Sequence, residues 1–176
     1  MPDRPTRKDT ILSEPGTPAI IEQYPEHARL IGSIIAEWSR IEHNLVLLLA
    51  ATLETDAAII RPMIYATESS RGRLQALRAA FEVKMRGNAR VLGEMQKMLD
   101  EVGAVLTQRN KFAHALYGIS GTGELSILGV KSGEANDLPI HDLEHQFERT
   151  KKLCDLVAML LGTVMGLYDD QRSAPD

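Results

Sequence analysis

The segment Arg109-Asn110-Lys111-Phe112-Ala113-His114 carries a guanidinium, a carboxamide and an imidazole close together along the chain. An imidazole, with an unperturbed pKa near ~6.5, can take or give a proton at neutral pH. A guanidinium is permanently charged, and its planar fork of donors suits a phosphate and the charge that builds in a transition state. Arg109 and His114 are therefore candidate catalytic residues, with Asn110 placed to orient substrate or a facing copy of the same segment. Five residues of straight helix turn the chain by roughly 140° and advance it about 7.5 Å. The two side chains then converge only if the helix ends or bends between them, or if a second copy of the chain completes the site across a twofold axis. The second arrangement is the expectation here. The plain alternative for His114 is a capping or packing residue at a helix end.

Arg109 also breaks a pattern. Leu92, Met95, Leu99, Val102 and Leu106 recur at steps of three and four, and the next members of that seam are Arg109 and Ala113. A charge on an apolar seam requires a partner. Glu42, between Trp38 and Leu45 on another apolar stripe, is the expected supporting carboxylate, with Glu37 as competitor. A purely structural ion pair fixing helix register would explain the same two residues. Arg71, Arg73, Arg78, Lys84, Arg86 and Arg90 form a basic run, and Lys111 lies inside the motif. Such a run is either a solvated face or a phosphate track, for which Arg71, Arg73, Arg78 and Lys111 are the candidate nucleic-acid-binding residues.

Other chemistry finds little support. His141 and His145 are four apart but lack further ligands, so no metal or cofactor is expected. Ser120-Gly121-Thr122-Gly123 lacks the lysine and following helix of a phosphate loop. Cys154, the single cysteine, allows no internal disulfide and fits a small buried apolar position.

The elements that must position these residues can be read from periodicity. Ile31, Ile34, Trp38, Ile41, Leu45, Leu48 and Thr52 predict a long first helix opening near Pro25. Thr55 or Asp56 caps a short second helix reaching Ala66, interrupted by Pro62, and Ser69 or Ser70 caps a third that stops at Gly87. The fourth starts near Asn88 and carries the motif. Leu116–Ser120 and Glu124–Val130 flank a Gly-Thr-Gly turn and predict a hairpin, with Lys131–Pro139 as loop. The last helix, His141 to Tyr168, has one stripe through Leu143, Cys154 and Val164 and a second through Leu153, Leu156, Leu160 and Leu167. A helix apolar on two sides is central to a bundle or covered by another subunit.

The expected fold is thus all-α, an up-and-down bundle of four to five helices with a short β-hairpin insertion. Residues 1–20, rich in proline and charge, form an irregular arm; 21–170 form the bundle domain; 171–176 form a flexible tail. In 176 residues, 44% hydrophobic content suffices for one core, and 5% aromatics leave that core to aliphatic side chains. A formal net charge of -4 argues against nonspecific coating of nucleic acid but allows a local basic grip. The apolar runs fall short of the ~20 residues that span a bilayer, and the polar start is unlike a signal peptide, so no membrane and a cytoplasmic location are expected.

At Arg109, Asn110 and His114 the chain resembles the HEPN superfamily, whose signature is an arginine, usually followed by a polar residue, with a histidine four to six residues on. Trp38-Ser39-Arg40-Ile41-Glu42 is similar to the first-helix pattern of bacterial members, in which an acidic residue supports the motif arginine. The resemblance covers about residues 25–168. It implies a helical homodimer with two Arg–His motifs facing one cleft, cutting RNA without metal or cofactor to leave 2′,3′-cyclic phosphate ends. It also implies service in toxin–antitoxin or phage-defence systems, with an antitoxin or regulatory protein as partner. Other members are catalytically silent scaffolds or nucleotide-binding modules, which is the alternative. The hairpin between residues 116 and 130 departs from the family pattern.

Overall fold

The computed structural model describes residues 19–67, 69–128 and 135–172, with side chains described as far as 165. The chain is all-α in class: the described residues form five helices and one small antiparallel sheet. A short 3₁₀ turn, Ile20–Gln23, leads into α1 (Pro25–Thr52), α2 (Ala57–Tyr65), α3 (Ser70–Lys84) and α4 (Ala89–Ala113). Then come β1 (Leu116–Ile119), β2 (Leu125–Leu128), β3 (Ala135–Asp137) and α5 (Ile140–Arg172). The described residues up to Ile35, with Gln108–Glu148, form one compact unit, here the sheet unit. Ala36–Thr107, with the chain from Arg149 onward, form a second, the bundle unit.

Each unit has its own apolar core. In the bundle unit Trp38, Ile41 and Leu45 of α1 pack with Phe81 of α3, Leu99 and Val102 of α4 and Val157 of α5. In the sheet unit Leu30 and Ile34 of α1 pack with Phe112 of α4, Leu125 and Ile127 of β2 and Leu143 of α5. Every member of the α1 stripe from Ile31 to Thr52 is buried, the outcome that burial of a helical apolar face requires.

The helix boundaries obey capping chemistry. Asp56 accepts the Ala58 N–H at 2.7 Å, Ser69 Oγ accepts that of Gly72 at 3.0 Å, and Asn88 Oδ1 accepts that of Val91 at 3.2 Å. Gly72 is needed there, since a Cβ would lie 2.7 Å from the Thr67 methyl. Contrary to the expected interruption, α2 runs through Pro62. Ala58, whose carbonyl loses its donor to the proline ring, and Pro62 itself are both exposed, so the missing bond falls on the side of the helix that solvent can reach.

Three further differences from expectation stand out. Ile20, assigned to the irregular arm, is buried in the sheet unit's core; residues 1–18 lie outside the described residues. Part of the expected loop 131–139 is strand β3, paired antiparallel to β2 with Ser126 opposite Asp137 and Leu128 opposite Ala135; residues 129–134 lie outside the described residues. Ala-Asn-Asp has low strand propensity, so the free edge of β2, not local sequence, orders this strand. Helix α5 continues through Arg172 into the expected tail, whose residues 173–176 are outside the description. On its second stripe Leu153 is buried, but Leu156 and the neighbouring Met159 are exposed at 38% and 62%. Among the described residues no helix is long and apolar enough to cross a membrane.

These packing details can be tested at two positions. Glu54, after the end of α1, holds a left-handed backbone (φ 54°), with the Thr55 N–H closing on the Ala50 carbonyl at 2.9 Å. Glu54→Val should destabilise by about 1–2 kcal/mol, whereas Glu54→Gly should hold or raise stability, read as the urea midpoint. Burial pushes the Cys154 thiol from its ordinary 9.0 up to about 11. A raised acid pKa favours folding below the unfolded value, and the contribution is lost as pH rises through the window from about 9 to 11. Urea titrations at pH 8 and 10.5 should show the wild type losing more stability than Cys154→Ala.

Candidate functional site

Arg109–Ala113 form the last turn of α4, His114 follows directly, and the whole motif lies in the sheet unit. Phe112, on the same turn, is buried in that unit's core and fixes the turn's rotation. Arg109 is half-buried, as its position on the α4 seam requires. Its Nη1 donates to Asn110 Oδ1 at 3.0 Å, while its Nε is shielded from solvent and has no hydrogen-bond partner among the described residues. Lys111 and His114 are exposed.

His114 is one residue beyond the end of α4, yet its N–H still donates to the Asn110 carbonyl at 3.2 Å. The helical turn therefore carries on through His114, and the roughly 140° between the directions of residues 109 and 114 is kept. The turn is held from outside by Tyr117 of β1, whose hydroxyl donates to the Phe112 carbonyl at 2.6 Å. That carbonyl is one of those a helix end leaves without an intrahelical donor. Burial pushes the Tyr117 phenol up to about 12, so it remains a donor throughout the neutral range.

Glu42 requires a correction. It was expected to support Arg109, but its Oε1 accepts from Arg73 Nη1 at 3.1 Å and from Ser70 Oγ at 3.2 Å, within the bundle unit. Ser70 and Arg73 are three apart on α3 and share a helix face, so they reach the carboxylate together. Arg73 also donates from Nε to the Thr67 carbonyl at 3.2 Å, and its guanidinium carbon lies 4.7 Å from the Tyr65 ring centre. Arg73, expected on a phosphate track, is thus engaged in holding α1, α2 and α3. Glu37, the competitor, pairs with Arg40 at 2.8 Å.

The other basic candidates divide. Arg78 pairs with Asp100 at 2.6 Å, and Arg71 is exposed. Both belong to the bundle unit with Glu42 and Arg73, whereas Arg109, Asn110, Lys111 and His114 belong to the sheet unit. His141 and His145 are exposed, and His141 Nε2 faces Asp142 Oδ1 at 3.3 Å. Among the described residues no three His, Cys, Asp or Glu side chains gather as metal ligands would.

Sequence reasoning missed the roles of Tyr117 and Ser70. The i, i+3 pair Ser70–Arg73 was visible but merged into the basic run; the bond from Tyr117 depends on how β1 leaves the helix and carries no local signal.

The Glu42–Arg73 pair is about three-quarters withdrawn from solvent at both side chains, at 24% and 21% exposure. A double-mutant cycle with Glu42→Gln and Arg73→Gln should give a coupling energy of about 1 kcal/mol, measured by urea unfolding. Additive effects would mean that the pair contributes nothing beyond packing.

The chain matches no protein-family profile, no curated protein and no solved structure.

Proposed function

We propose that this protein is a metal-independent endoribonuclease of the HEPN kind, cytoplasmic and homodimeric, with Arg109 and His114 as its catalytic pair. The observation that carries the reading is the state of Arg109. A structural ion pair would supply a carboxylate, but the described residues give this half-buried guanidinium only the neutral Asn110 oxygen and leave Nε unanswered. A cation held in that way favours an anionic ligand, and a phosphodiester fits its fork.

The chemistry requires no added group. The RNA 2′-oxygen attacks the adjacent phosphorus, the bond to the 5′-oxygen breaks, and a cyclic phosphate and a 5′-hydroxyl result. One proton leaves the 2′-hydroxyl and one reaches the departing oxygen; an exposed imidazole suits either transfer. Arg109 stabilises the charge on the phosphorus centre. Because five residues of helical turn set the two positions roughly 140° apart, a second copy of the chain supplies the facing motif in this reading. The uncovered apolar side chains Leu156 and Met159 of α5 supply surface of the kind that association buries. Lys111 and Arg71, both exposed, would bind phosphates by charge alone. A role as a toxin restrained by an antitoxin or regulatory partner, or in phage defence, extends this proposal.

The test is incubation of the purified chain with RNA in excess chelator. The wild type should yield 2′,3′-cyclic ends, and Arg109→Ala and His114→Ala should each lower the rate by ~10²-fold or more. His114 is exposed, so its variant should keep the wild-type melting temperature. Equal cleavage by all three proteins would remove the assignment, and no cleavage by the wild type would leave a silent dimeric scaffold or a nucleotide-binding module.

A further inference from the structure

The bundle unit contains a cleft of about 550 Å³. Met85, Val91, Met95, Leu160 and Val164 give it an apolar lining, and the two methionines can adjust to the shape of an occupant. Its size lies in the range of small-molecule pockets, and a lining of this kind excludes a tightly hydrated ligand.

The polar residues at the cleft are Glu54, Asn88, Arg90, Glu94 and Thr163. Both acidic charges are answered: Glu54 accepts from Lys84 Nζ at 2.8 Å and Glu94 from Lys97 Nζ at 3.0 Å. Arg90 is exposed, and among the described residues it makes no hydrogen bond or ion pair. Among the described residues the cleft therefore combines an apolar interior with one uncompensated positive charge. Asn88 uses its Oδ1 on the Val91 N–H, leaving its amide donors for a second contact.

We propose that this cleft binds a single-chain fatty carboxylate, its hydrocarbon tail among the methionines and its head group on Arg90. Complementarity decides the class: the tail matches the apolar lining, and the carboxylate matches the guanidinium geometrically and in charge. A cationic amphiphile would meet Arg90 with like charge. This inference concerns the bundle unit alone and does not depend on the nuclease proposal.

Isothermal titration calorimetry on the full chain tests it, with decanoate and decyltrimethylammonium as probes below their micellar concentrations. Decanoate should saturate one site, tighten about fourfold for each methylene added in a series to dodecanoate, and bind at least about tenfold more tightly than the cation. Arg90→Ala should weaken decanoate about tenfold. Thr163→Trp, which adds bulk at an exposed position of the lining, should abolish binding. Circular dichroism of both variants should match the wild type, since both positions face solvent. Absence of saturable binding, equal affinity for the two head groups, or unchanged decanoate affinity in either variant would overturn the proposal.

Discussion

The buried stripe of α1 is the constraint on which the rest of the structure depends. Its residues recur at steps of three and four from Ile31 to Thr52, so one face of a 28-residue helix must be covered along nearly its whole length. Ile31 and Ile34 enter the core shared with β2, and Trp38, Ile41, Leu45 and Leu48 enter the core shared with α3, α4 and α5. Helices α4 and α5 likewise contribute to both cores through Phe112 and Leu143 in one, and Leu99 and Val157 in the other. Chain segments far apart in sequence are thereby committed to the same apolar interiors, and the polar residues take positions that this commitment leaves open.

Arg109 is a charge in such a position. Desolvating a guanidinium is costly, and a neutral amide oxygen offsets only part of that cost. The bundle unit answers the same problem differently at Arg73, where a carboxylate, a carbonyl and an aromatic face engage one guanidinium. Two arginines, each partly withdrawn from solvent, thus end in opposite electrostatic states. The contrast separates an arginine that fastens helices together from one that the described residues leave without a counter-charge.

Long amphipathic elements were legible in the sequence because their physics is local and repetitive. The start of α1 at Pro25, the caps at Asp56 and Ser69, and the positions of β1 and β2 are all set by residue type and spacing. Strand β3 was not legible, because its pairing comes from the free edge of β2 and its own residues disfavour strand. Nor was the partner of Glu42: periodicity shows that a seam charge requires a counterpart, yet it does not choose between arginines on different helices. The motif itself was visible as residue types, while the clasp from Tyr117 and the unanswered Nε of Arg109 needed coordinates.

The Tyr117 bond also assigns a mechanical role to the inserted sheet. Its hydroxyl tethers β1 to the backbone of the very turn that carries Arg109 and His114, so the sheet braces that turn against unwinding. The hairpin's far tip, at Gly121–Gly123, is solvent-facing and follows this tether after the rest of β1. That tip has a fastening of its own, since the Tyr24 hydroxyl donates to the Gly123 carbonyl at 2.7 Å, so the strand that braces the motif-bearing turn is itself pinned at its far end.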